Sequence, residues 1–332
     1  MTEGRHLAET IDRGDLDELT RLIDRYCDAR WWDDLMELIS RCHGATARGR
    51  QLWPAAAYGE YRIALDAPGP WAASVLVEGS GRFSRGPLTE VAAARHSFGD
   101  LAVRLRPGPS TSLVAHERVI RGEDLAGDQL ATAGGAVLEL PFTLQAWEPT
   151  YPVATYEADR AAFPAPPAPL LHRVRLPTAP PIVADQEVVS ALRDVVAGWT
   201  VDSNGRAEAV AVAGPAAAAV AALGPPAARM AVLDPAAALA WLAWAGASGG
   251  AHGRRRGMAT GRFAAWWALA ALAGRLDDWP CPPDQLGAAA AGLRWYAWDA
   301  AEPATGWSLH LAVEDPACGI SWALAASDSA LA

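Results

Sequence analysis

The sequence predicts an α+β protein. An N-terminal all-helical array, solenoid-like or an irregular bundle, precedes a C-terminal α/β or α+β sandwich that closes in an antiparallel meander. Three observations predict this. Apolar residues recur at helical spacing over residues 1–125, nine prolines crowd residues 149–181, and apolar and polar residues alternate near the C-terminus. The expected division is a helical domain at 1–148, a Pro-rich extended linker at 149–181 and an α/β domain at 182–332.

Leu16, Leu19, Leu22, Ile23 and Tyr26 form the first strong helical stripe. Asp15 caps it, because a short side-chain oxygen accepts from the unpaired N–H groups of a first turn. Trp32, Leu35, Met36, Leu38 and Ile39 form the second stripe. Helical windows follow at 51–65, 71–78, 88–95 and 111–121. Short helices joined by brief loops suggest stacked pairs, although no strict repeat period accompanies them.

Proline lacks an N–H and resists helix interiors, so 149–181 is extended. Tyr151, Tyr156 and Phe163 within it predict packing along a surface, and Leu170–Leu176 reads as a strand. Beyond it the period changes. Asp185 caps a helix over Gln186–Trp199, Ala207–Ala213 reads as a strand, and Pro215 opens a helix to Leu223. A second strand is expected at Arg229–Leu233. Asp234-Pro235 is a strong helix start, a cap followed by proline at the first helical position. That helix carries Leu239, Trp241, Leu242 and Trp244 to Gly246. Further helices are expected at Met258–Ala273 and Pro283–Ala291.

Three strands close the chain. Leu293, Trp295 and Ala297 share one face, and Arg294, Tyr296 and Trp298 the other. Leu309, Leu311 and Val313 alternate with Ser308, His310 and Ala312. Ile320, Trp322 and Leu324 repeat the pattern after a turn at Glu314-Asp315-Pro316.

All 28 basic residues are arginine, against 38 acidic ones, for a net charge of -10. An acidic surface repels phosphate backbones and argues against a nucleic-acid partner. The lack of lysine removes Schiff-base chemistry and a Lys-dependent phosphate loop. At 51% hydrophobic and 20% charged, the chain is not disordered. Cys27, Cys42, Cys281 and Cys318 show no C-x-x-C spacing, and Cys27, Cys42 and His43 lack a fourth ligand. Buried thiols and no metal are therefore expected. Met1–Leu7 is polar, unlike a signal peptide, and the apolar run Phe263–Ala273 is shorter than the about 20 residues a bilayer needs. The expected setting is cytoplasmic, without a membrane partner.

One loop carries the main candidate site. Gly246-Ala247-Ser248-Gly249-Gly250-Ala251-His252-Gly253-Arg254-Arg255-Arg256-Gly257 joins two apolar helices, with Arg262 just beyond. Glycines admit close backbone approach, a helix N-terminus favours anions, and arginine adds bidentate donors. The expected function is binding of a small anionic ligand by Ser248, Gly249, Gly250, His252, Arg254, Arg255, Arg256 and Arg262, with His252 as acid or base. No particular cofactor is indicated. A solvated connector with surface arginines is the plainer reading of the same loop. Two other functions are open. G-x-S-x-G at Gly246, Ser248 and Gly250 matches a hydrolase elbow, with Asp299 and His310 following in triad order. Alternatively, the N-terminal helices form a noncatalytic scaffold for a protein partner.

Other groups attract attention. Trp31-Trp32-Asp33-Asp34 and Asp277-Asp278-Trp279 set acids beside aromatics, as in glycosidases, yet acids at helix starts read first as caps. His116, Glu117, Arg118, Arg121, Glu123 and Asp124 read as a solvated helix end. His310 lies on the polar face of its strand beside Tyr296 or Trp298, where lining a pocket and packing in a covered sheet face explain it equally well.

Three runs of sequence carry a resemblance. They are Ser203-Asn204-Gly205-Arg206-Ala207-Glu208-Ala209-Val210, the run Ala247–Gly257, and Arg294-Trp295-Tyr296 continuing to Glu302-Pro303-Ala304-Thr305-Gly306-Trp307. With them the chain resembles an uncharacterised family of actinobacterial proteins, a domain of unknown function over most of its length. The resemblance implies a bacterial cytoplasmic origin and carries no activity or catalytic residue.

Overall fold

A computed structural model describes residues 2–133, 137–178, 180–302 and 306–329, with side chains from residue 6 onward. Part of the polar N-terminal stretch, and residues 303–305 of the third run above, lie outside the described residues. The α+β class is borne out: helices precede an antiparallel six-stranded sheet that contains the expected meander. Two units share the chain. One holds Met1–Val137 and Ala154–Phe163, the other Leu138–Val153 and Pro164–Ala332.

The first unit is helical, with α1 (Thr2–Arg13), α2 (Leu16–Ala29), α3 (Trp32–Ala47), α4 (Trp53–Asp66), α5 (Gly69–Ser74), α6 (Leu88–Arg95), α7 (Phe98–Ala102), α8 (Pro109–Ile120) and α9 (Gln129–Ala133). The Asp15 carboxylate accepts from the Glu18 N–H at 3.0 Å, which starts α2 as its sequence requires. Leu19, Leu22, Ile23 and Tyr26 are buried, so the first stripe is core. Gly59 lets α4 lie close on α3, since a Cβ there would come within 2.6 Å of Ile39 Cγ1. A hairpin of β1 (Thr155–Tyr156) and β2 (Ala161–Ala162) completes the unit, and the Tyr156 hydroxyl donates to the buried Glu90 at 2.6 Å. The solvated helix end expected at 116–124 is corrected here for His116, Glu117 and Arg121, while Asp124 is exposed. His116 and Glu117 are buried in α8, and Arg121 pairs with Glu117 at 2.6 Å, because α8 packs against α6, α7 and α9.

The second unit centres on a sheet ordered β3-β5-β6-β7-β8-β4, antiparallel throughout. Its strands are β3 (His172–Val174), β4 (Arg206–Ala213), β5 (Ala228–Leu233), β6 (Arg294–Asp299), β7 (Trp307–Asp315) and β8 (Ile320–Asp328). Its helices are α10 (Gln186–Val195), α11 (Ala197–Val201), α12 (Ala216–Ala222), α13 (Pro235–Ala247), α14 (Met258–Leu272) and α15 (Pro283–Gly292). The helix read over 186–199 is two pieces, since α10 stops at Val195 and α11 starts afresh. One sheet face, with Val212, Met230, Trp298, Ala312 and Ala323, buries α12. The other carries Trp295, Leu311, Trp322 and Leu324. There Trp322 Nε1 donates to Asp185, the N-cap of α10, at 2.8 Å. Both faces are thus covered, which explains the apolar runs in strands of an antiparallel sheet.

Candidate functional site

The sheet forks at its centre. The β6–β7 ladder runs from Arg294↔Glu314 to Ala297↔Leu311 and stops. Beyond that point β6 stays paired to β5 through Arg229↔Asp299, while β7 stays paired to β8 through Trp307↔Asp328. Each strand keeps its outer neighbour and loses its inner one. The gap is a cleft of about 390 Å³. Its apolar wall includes Leu233, Trp241, Leu309 and Leu311, and its polar groups are Asp299, Glu302, Ser308, His310 and Ser327.

Strand alternation places these groups. Ser308 and His310 sit two apart on one face of β7, and Ser327 opposes Ser308 across the β7–β8 ladder. His310 stacks on Trp298 with ring centroids 4.6 Å apart and planes 20° apart. Trp298 is fixed in turn by its Nε1 donating to the Leu324 carbonyl at 3.2 Å. Burial pushes the His310 pKa below its ordinary value, against the opposing pull of Asp299 and the Trp298 backbone. The ring is therefore neutral near pH 7 and able both to donate and to accept. Asp299 receives Arg229 Nε at 2.9 Å and Nη2 at 2.5 Å, and the Ala301 N–H at 2.9 Å. The Arg229 hydrogen bond holds its carboxyl below the usual range.

The glycine-rich loop has a different arrangement. Ser248 follows α13 and is 3% exposed, and its Oγ accepts from the Gly250 N–H at 2.9 Å. The turn joins two helices, so the strand-to-helix geometry of a hydrolase elbow is not formed. Asp299 and His310 line the fork together, and Ser248 is not among the lining residues. Gly249 and Gly253 fold the loop onto itself, because a Cβ on either would collide with backbone across it. Gly250, at φ +76°, lies against the carboxylate of Asp328, which accepts from the Ala251 N–H at 2.6 Å. Asp328 belongs to β8 and is 2% exposed. The loop thus holds a carboxyl group that the chain itself supplies. The His252 N–H donates to Ser203 Oγ at 3.0 Å, and the Arg256 N–H to the Ala247 carbonyl at 2.8 Å. Arg254 and Arg256 are exposed and Arg255 half-buried.

Arg262 sits elsewhere, 0% exposed. It donates to both Glu148 oxygens, at 2.8 and 2.7 Å, and to the Pro141 and Thr143 carbonyls at 2.9 and 3.0 Å. Glu148 also receives the Tyr151 hydroxyl at 2.6 Å, Trp266 Nε1 at 3.0 Å and the Gln145 N–H at 3.0 Å. These bonds fasten residues 141–151 to α14.

The remaining candidates take structural places. Burial pushes the Cys27 and Cys42 thiols up to about 12 and about 11, and His43 bonds Glu60 at 2.7 Å. Asp33 accepts from Trp71 Nε1 at 3.2 Å, and Trp279 Nε1 donates to Glu139 at 2.9 Å. Sequence reasoning missed Trp241, Glu302 and Ser327 as lining groups, and Asp328 as the carboxyl group held in the loop. For Ser327 the strand alternation was a signal; for Asp328 no local signal exists.

Among known families, one described as "Family of unknown function (DUF6183)" has a model that matches residues 17–330, and the chain belongs to this family. No curated protein and no solved structure matches the chain.

Proposed function

We propose that this member of the DUF6183 family is a small-molecule-binding protein whose ligand occupies the fork between β6 and β7. One observation carries the reading. Two neighbouring strands in the interior of a sheet give up their ladder while each keeps its outer partner, and the opening is lined mostly by apolar side chains with a few convergent polar groups. Ligand sites have this composition. In this reading the Ser248–Arg262 loop is a brace: through Ala251 it holds Asp328, the residue next to Ser327 of the cleft.

A fragment library tested by thermal shift and NMR addresses this. Fragments that raise the melting temperature of the wild type should lose their effect in Ser308→Phe, which fills the cleft. Equal effects on both proteins, or none on either, would count against the site. A bacterial cytoplasmic setting is proposed with it, supported by arginine as the sole basic residue and by four free thiols.

A second reading, a partner surface on the helical unit, has one observation in its favour. Trp53 and Phe83 pack with ring centroids 4.1 Å apart and planes tilted by 45°, while 38% and 57% exposed. Exposed aromatics of this kind recur at interfaces. A protein that co-purifies with the wild type but not with Trp53→Ser/Phe83→Ser would support it; an unchanged set would oppose it.

A further inference from the structure

We propose that the fork takes a ligand with a cationic head, an amine or quaternary ammonium, on an apolar body. The inference rests on the fork being the ligand site and adds the charge of what enters it. No arginine is among the described residues lining the cleft, and the chain has no lysine. Asp299 is itself held by Arg229, whose Nε and Nη2 are engaged on it, so that pair is close to neutral. Glu302 adds a carboxylate at the exposed mouth. An anion would thus meet a carboxylate and no cation to receive it.

A cation meets the reverse. Trp241 lines the cavity beside the stacked pair of Trp298 and His310, and the face of an indole ring attracts positive charge. Glu302 adds attraction across the mouth, and Leu233, Leu309 and Leu311 take up an apolar body. His310 does not oppose the cation near neutral pH, since burial keeps the ring uncharged.

The test uses three probes of one shape on the full chain: phenethylamine, phenethyl alcohol and phenylacetate. Binding is followed by calorimetry and by the Trp241 indole N–H in NMR spectra. The amine should bind about tenfold more tightly than the alcohol, and phenylacetate most weakly. In Glu302→Gln, a substitution on an exposed loop, the preference for amine over alcohol should narrow to about threefold or less. Equal binding of amine and alcohol, or tighter phenylacetate binding, lost in Ser308→Phe, would overturn the cationic ligand and leave the site standing. No binding by any probe, or binding unaffected by Ser308→Phe, would remove the site and the inference with it.

Discussion

Replacing Arg262 by methionine tests how the second unit is held together. The guanidinium and the Glu148 carboxylate are both fully buried and joined by two hydrogen bonds, and two carbonyls take the other Arg262 donors. Removing one member of such a pair costs about 3–5 kcal/mol, because the other charge stays buried. Glu148 keeps Tyr151, Trp266 and the Gln145 N–H, which places the loss near the lower end, about 3 kcal/mol. For a unit of this size that is about 6–12 °C in Tm. The loss also has a pH signature. Burial pushes the Glu148 carboxyl up, but the Arg262 hydrogen bond and charge outweigh it and hold the group below the usual range. Its stabilisation is therefore in place at neutral pH and is lost as pH falls through the lowered value. In the variant burial is opposed only by the remaining hydrogen bonds, such as those of Tyr151 and the Gln145 N–H, so the carboxyl titrates higher than in the wild type, and protonation relieves the stranded charge. The gap between wild type and variant should be widest near neutral pH and narrow as pH falls. Urea unfolding followed by tryptophan fluorescence at a series of pH values measures it. A loss under about 1 kcal/mol, or a gap that widens in acid, would refute a structural ion pair at this place.

Other outcomes follow from the same contacts. Gly250→Ala sets a side chain at φ +76° against Asp328 and should cost about 1–3 kcal/mol in urea unfolding. Phosphate, nucleotides and carboxylates should leave Tm unchanged, since the loop already holds Asp328; a rise abolished in Arg255→Ala would return the anion site to the loop. An NMR titration of His310 should place its midpoint below the ordinary histidine value. Because the unfolded ring binds its proton more readily, the second unit should lose stability as pH falls below about 6.5, a component absent in His310→Gln. Tyr156→Phe removes the 2.6 Å bond to buried Glu90 and should cost about 1–2 kcal/mol by the same unfolding assay.

The elements that local chemistry determines were legible. Asp15, Asp185 and Asp234 announce α2, α10 and α13 because a cap acts within one turn, and each accepts the expected N–H. The meander was legible because a period of two persists through β6, β7 and β8. That alternation also put His310 on its strand's polar face, with Tyr296 and Trp298 as alternative neighbours, and the structure stacks it on Trp298. The fork was not legible, since it depends on where a ladder ends, and nothing local marks Ala297 and Leu311 as its last pair. The contents of the loop were hidden for a similar reason. Glycines and arginines state an appetite for negative charge, but Asp328 stands far along the chain from Ala251 and Glu148 far from Arg262. Pairings at that sequence distance are decided by topology, which residue pattern alone does not specify.

The chain's itinerary between its units has a consequence for how the protein can be divided. Residues Leu138–Val153 belong with the C-terminal elements, and Ala154–Phe163 return to the helices. A nascent N-terminal half cannot finish until Tyr156 has emerged to meet Glu90, and by then Glu148 is already waiting for an Arg262 not yet synthesised. A protease nick or gene fusion near residue 150 would hand each fragment the wrong half of a partnership. The chain leaves the first unit at Leu138, returns to it at Ala154 and leaves again after Phe163, so neither unit is one unbroken segment that a single cut could release.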